Sequence, residues 1–203
     1  LKGTTEWADV MTLLFRPVTP LESATSYTGT LDLSKLGSVE ERLRFFPLAF
    51  RTVEKNFSVN INPITCDLPD GNTYTITGTL VTSDYVDATE VEKYLTARTG
   101  KRDEKIIWEH DNNNNHTFTI EKIQRGKEEN ELKISYNGNP YGIKTKGDLN
   151  VTIPAEGVFK VTDVKVNAGD SKSIEIFFSA LINAESELDG VVTMKPFHPL
   201  TIS

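Results

Sequence analysis

The stretch IIWEHDNNNNHTFTI, residues 106–120, sets two of the three histidines of the chain, His110 and His116, on either side of an Asp and four consecutive asparagines. If the segment folds back on itself, the two imidazoles face each other across paired strands about 5 Å apart, close enough to share a metal ion. A zinc site needs three or four ligands, and the nearby candidates for a third are Glu109, Asp111 and asparagines. Asn and Asp are also, after glycine, the residues that best tolerate left-handed backbone and satisfy their own turns by side-chain hydrogen bonds. The segment therefore reads as a hairpin tip over residues 111–115 that needs no metal. His110 and His116 are the weak candidates for one, and no cofactor is expected.

Other arrangements that could do chemistry are fewer. The chain contains no GxSxG, GxxxxGK[ST], HExxH or GxGxxG. The nucleophile-elbow, phosphate-loop, zincin and dinucleotide readings thus lack their signatures. Asp84 and Asp87 could be a carboxylate pair, but Asp87 stands where a helix cap is wanted. Asp67 and Asp70 flank a turn. Cys66 is the one cysteine, which excludes an intramolecular disulfide and a Cys-rich zinc site. It sits beside Asp67, whose charge disfavours a thiolate, so a half-buried spectator thiol is expected.

The elements that position these residues repeat with period two, as strands with one buried face do. Residues 73–82 alternate threonine with larger side chains, and threonine both favours strands and faces water readily. Residues 57–61, 131–136 (Leu132, Ile134 and Tyr136 on one side), 149–153, 159–161, 164–166, 174–178 and 191–194 follow the same rule. Turns separate them: Pro69-Asp70-Gly71-Asn72, with Gly71 at positive φ, then Arg125-Gly126 and Asn137-Gly138-Asn139-Pro140. Ile106, Trp108 and His110 share one side of a strand, and Phe118 and Ile120 continue that face on the next. Residues 87–95 predict one short helix, capped by Asp87 or Thr89 with Val91, Tyr94 and Leu95 facing inward. Residues 38–43 could form another helical turn, and the first 45 residues carry no firm period. The fold class is all-β, an antiparallel sandwich of the immunoglobulin or fibronectin kind with one short helix.

With 203 residues the chain can form one large domain or two ordinary ones, and 37% hydrophobic residues suffice for packed cores. A net charge of −7 with no basic run argues against nucleic-acid partners. The longest apolar stretches, residues 11–15 and 45–50, fall far below the roughly 20 residues that span a bilayer, so no direct membrane span is expected. The first four residues carry no leader pattern, so the expectation is that any targeting segment was removed or lies outside this sequence.

Particular runs carry a resemblance. YTITGTLVTSD (residues 74–84) followed by VEKYL (91–95), then WEH (108–110) with HTFTI (116–120), resembles the N-terminal region of bacterial alpha-2-macroglobulin-like proteins. VKV (164–166), IEIFFSAL (174–181) and LDGVV (188–192) are similar to the opening of their next sandwich domain. The resemblance covers about residues 50–195, on structural motifs. It implies macroglobulin-like β-sandwiches in an exported protease-trapping protein of the periplasm or cell surface, often lipid-anchored through a segment outside this chain. Its implied partners are the neighbouring macroglobulin-like domains and, through the full-length protein, proteases. The family's reactive Cys-Gly-Glu-Gln thioester has no counterpart, since Cys66 is followed by Asp67, Leu68 and Pro69. No functional residue transfers.

Pro154-Ala155-Glu156-Gly157 then reads as a junction. The expected division is residues 1–45 as an unassigned N-terminal segment, 46–156 as a macroglobulin-like sandwich, and 157–203 as the start of a second. The last is shorter than the roughly 100 residues an isolated sandwich needs, so it is either incomplete or completed by the N-terminal segment. The expected function is that of a non-catalytic structural segment. The alternative is a surface adhesion or carbohydrate-binding module, with Trp7, Trp108, Tyr136 and Tyr141 as the aromatics that could stack on sugars.

Overall fold

Threonine alternating with bulky residues makes residues 73–82 a strand whose even positions Tyr74, Ile76, Gly78, Leu80 and Thr82 are all buried. A computed structural model describes residues 1–69, 71–111, 114–168, 172–183, 185, 187–193 and 195. In chain order the strands begin with β1 (Gly3–Trp7), β2 (Leu13–Pro17), β3 (Ser26–Asp32) and β4 (Phe45–Arg51). Next come β5 (Phe57–Ile61), β6 (Thr65–Cys66), β7 (Thr73–Thr82), the helical turn α1 (Ala88–Val91), β8 (Leu95–Thr99), β9 (Arg102–Glu104) and β10 (Ile107–His110). The chain continues through β11 (Asn115–Gln124), β12 (Asn130–Asn137), β13 (Lys146–Ile153), β14 (Val161–Asn167) and β15 (Ser173–Phe178).

The fold is an all-β antiparallel sandwich. One sheet has the order β10-β11-β7-β5, with β6 also pairing β7, and the other has the order β13-β12-β8-β9. Tyr74, Ile76, Leu80, Phe118, Ile120 and Ile123 of the first pack with Leu95, Ala97, Leu132, Ile134 and Ile153 of the second in one buried cluster. Phe57 stacks on Tyr94 with ring centroids 4.9 Å apart, which ties β5 to the turn after α1. Burying a large aromatic or aliphatic side chain contributes about 1.5–3 kcal/mol, so this cluster is the main stabilising element. The expected short helix is α1, capped by the Asp87 carboxylate accepting from Thr89 N at 2.9 Å. It passes into a 3-10 turn at Glu92–Tyr94, and Leu95 already belongs to β8.

A β-bulge in β11 changes which residues face the core. Register with β7 shifts between Ile120 and Ile123, and Lys122 takes a left-handed φ of 57°. Before the bulge even positions point inward; after it Ile123 and Arg125 do. The extra residue thus turns an arginine into the core.

The remaining strands form three separate hairpins, β1–β2, β3–β4 and β14–β15. The expected sandwich start at residue 46 falls inside β4, which pairs along its whole length with β3 and not with the sandwich sheets. Residues 1–45 therefore hold three strands where no period is visible in the sequence. Residues 191–193, expected as a strand, are not in one, and Met194 lies outside the described residues. Gly71 sits at φ +65° as the turn reading requires, while Asp70 lies outside the described residues. A Cβ there would make ordinary contact with Leu181 at 3.6 Å, so strain alone sets the effect. Gly71→Ala is expected to lower stability by about 1 kcal/mol with the fold retained, read from the urea midpoint.

Candidate functional site

The β10–β11 hairpin places Trp108 opposite Phe118 and His110 opposite His116, as the alternation on the two strands demands. The His110 side chain is 21% exposed, whereas His116 is 4% exposed. Their Nδ1 atoms lie 2.8 Å apart, a hydrogen bond in which one ring donates and the other accepts. On the far side of His110, Nε2 lies 3.3 Å from Oε1 of Glu92, delivered by the turn after α1. The Trp108 indole stacks on the His110 ring with centroids 5.8 Å apart and planes 8° from parallel. Nε2 of His116 is buried and has no hydrogen-bond partner among the described residues. Burial first, and the neighbouring His110 second, push the His116 imidazole below its ordinary value of 6.5, while Asp111 pulls the other way.

This geometry uses the Nδ1 lone pair of one histidine on the other, and directs the remaining His110 nitrogen at a carboxylate. The nitrogens and the carboxylate thus form a chain and do not converge on one point. Among the described residues no group of three or more His, Cys, Asp or Glu is placed to hold a metal ion. The loop residues Asn112 and Asn113 lie outside the described residues; Asn114 takes a left-handed φ of 62°, and Asp111 Oδ1 accepts from Asn115 N at 3.0 Å. Alternation pairs the two histidines from sequence alone, but nothing there points to Glu92. That residue arrives from 18 positions upstream through tertiary packing.

The other candidates are placed elsewhere. Asp84 accepts from the Tyr85 amide at 2.8 Å, and Asp87 caps α1, so the two are turn residues. Asp67 accepts from the hydroxyls of Thr73 and Thr75, the latter at 2.7 Å. The Cys66 thiol, half-buried, donates to the Ser179 carbonyl at 3.3 Å. The Tyr74 hydroxyl donates to the same oxygen, and burial, with Cys66 beside it, pushes that hydroxyl up to about 12. Of the aromatics considered for sugar stacking, Trp108, Tyr136 and Tyr141 pack against the core, and Trp7 is 58% exposed. A groove of about 510 Å³ runs between β13 and β14, floored by Ile61, Leu149 and Val151, with Lys160 paired to Glu129 at its rim.

A second centre lies at the junction after β13. The Arg125 guanidinium, aimed inward by the bulge, donates to the carbonyls of Gly71 (3.2 Å), Pro154 (3.3 Å), Ala155 (2.6 Å) and Val158 (3.1 Å). Its face lies 5.4 Å from the Tyr74 ring. Ser179 Oγ donates to the Val158 carbonyl and accepts from the Lys160 amide, each at 2.8 Å. The residues leaving the sandwich are thus held by the side chains of Arg125, just past β11, and Ser179, just past β15. By sequence pattern Arg125 reads as turn material.

The third feature is apolar surface. Directly opposed residues in an antiparallel pair share a face, so each isolated hairpin has one apolar side. In β1–β2 it is Trp7, Leu13 and Phe15; in β3–β4 it is Tyr27, Leu31, Phe46, Leu48 and Phe50; in β14–β15 it is Val164, Val166, Ile174 and Ile176. Phe46 is 54% exposed and Val166 72%. The opposite faces are richer in charged and hydroxyl side chains. No family model matches the chain, and neither does any curated protein or solved structure.

Proposed function

We propose that the chain is a non-catalytic structural segment of an exported alpha-2-macroglobulin-like protease-trapping protein, in which its hairpins are completed by neighbouring macroglobulin-like domains. The observation that supports this reading is the contrast between a sandwich with a closed core and three flanking hairpins whose apolar faces stand open. A two-stranded hairpin is marginal in water alone and gains stability when its apolar face meets another layer. Contiguous exposed apolar patches mark contact surfaces. The motif resemblance supplies the kind of layer, a further sandwich of the same protein. In this role the histidine pair and the Arg125 cluster hold structure, and no side chain attacks a substrate.

The expected result is that the purified chain neither hydrolyses substrates nor inhibits proteases. It is incubated with proteases of several specificities while cleavage of a small peptide and of a large protein substrate is followed. A trap spares the small substrate and blocks the large one; an active-site inhibitor blocks both; a scaffold segment blocks neither. Inhibition of either kind at near-stoichiometric ratios would sink this reading.

A further inference from the structure

The protons of the histidine pair can be counted. Two neutral imidazoles carry two N–H protons among four nitrogens. One lies between the Nδ1 atoms, since at 2.8 Å two protons would collide and none would set lone pair against lone pair. The other belongs on Nε2 of His110, where Glu92 accepts it. Nε2 of His116 is then a bare lone pair in a buried position. A third proton has one place to go that leaves the Nδ1 contact intact, and that place is Nε2 of His116. There it becomes a buried N–H with no acceptor among the described residues, on a ring pair that now carries charge. The Nδ1 contact and an extra proton are therefore incompatible at low cost.

We propose that the His110–His116 pair is an acid-sensitive latch on β10: the shared proton ties the end of the strand to the sandwich, and uptake of one more proton releases it. β10 is suited to release because it is four residues long, lies at a sheet edge and pairs with β11 alone. The charged groups around the pair are Glu92 on the turn after α1, Asp111 at the end of β10, and Asp87 at the α1 cap, whose carboxyl is itself lowered in small part by His110. From β7 the residue opposite His116 is Leu80, which does not titrate. Asp111 favours the cation in the closed state and so works against release, but the burial of His116 outweighs it. The depressed affinity of His116 has the matching sign. The folded state holds the proton less tightly than the unfolded chain, so the stabilisation is fully present above about pH 6.5 and is lost as pH falls below it.

Hydrogen–deuterium exchange of the β10 amides, corrected for the intrinsic effect of pH, is the test. Between about pH 7.5 and about pH 5 the opening constant of β10 is expected to rise toward tenfold per pH unit, while β12 amides stay protected. His116→Phe removes the titrating ring and is expected to abolish the pH dependence. His116→Gln, which cannot titrate but keeps a polar group beside His110, does the same if the phenylalanine variant fails to fold. Nitrogen-15 spectra are expected to show His116 protonated at Nδ1 and His110 at Nε2 near neutral pH. Equal β10 protection at both pH values, or an unchanged pH response in the variants, overturns the latch. His198 lies outside the described residues and is present in every variant, which is why the readout is confined to β10.

Discussion

Gly78→Ala is expected to destabilise the sandwich by about 3 kcal/mol, lowering its melting temperature by about 12–24 °C. Gly78 is an inward position of β7, directly opposite Phe118 of β11 and Ile61 of β5. A Cβ there would collide with the Phe118 ring, whose Cε1 would stand 2.8 Å away, and with the backbone carbonyl of Asn60. Phe118 is fully buried and tilts against Trp108, so the ring has no free space to enter, and the carbonyl belongs to a paired strand. The glycine is thus the floor on which an aromatic lies. The double variant Gly78→Ala/Phe118→Leu is expected to lose about 1 kcal/mol less than the sum of the single losses, because the smaller side chain relieves part of the same collision. Thermal and urea unfolding check both numbers. A Gly78→Ala protein within about 0.5 kcal/mol of the parent would show that the two strands are spaced more widely.

Arg125→Met is expected to cost about 2–4 kcal/mol, because four carbonyl oxygens each lose a donor in surroundings that little water reaches. Of the four, Ala155 keeps another donor, the Val158 amide, and Val158 keeps the Ser179 hydroxyl. Replacing a buried ion pair by apolar groups can be neutral when both partners go, but here the acceptors are backbone and remain. Arg125→Lys is expected to recover little, since a single ammonium cannot span carbonyls contributed by residues 71, 154, 155 and 158. The loss has a place as well as a size. Residues 154–158 are pinned by this group, so both variants are expected to be cut there by dilute protease before the sandwich unfolds. An unfolding midpoint equal to the parent, with no new cut, would contradict the assignment.

Much of the sandwich is legible in the sequence because its strands keep to one alternation. β5 and β7 fall where that alternation puts them, and β12 and β13 contain the segments read as strands. The same rule sets His110 across from His116. The hidden parts depend on facts that no local pattern contains. β3 and β4 are joined by twelve residues, and Gly29 in β3 and the adjacent Phe45 and Phe46 in β4 interrupt the alternation, so their shared apolar face is masked in the sequence. The inward turn of Arg125 rests on a one-residue bulge that reverses which parity faces the core, and a pattern read from the first half of β11 predicts the opposite. The burial of His116 and the approach of Glu92 come from how the turn after α1 meets the β10–β11 hairpin. Residues 191–193 show the converse failure: β-branched residues alone do not make a strand without a neighbouring strand to pair with.

The stacking of Trp108 on His110 gives the molecule an optical reporter of its own. Only two indoles are present. Trp7 lies on an open hairpin face, so its emission is that of a water-exposed indole at any pH. Trp108 lies against an imidazole ring and Phe118. A neutral imidazole leaves the excited indole largely undisturbed, whereas an imidazolium in face contact accepts an electron from it and quenches the light. The blue part of the fluorescence therefore reports whether Trp108 is still seated on His110 and Phe118, and it does so without a label, a ligand or a mutation.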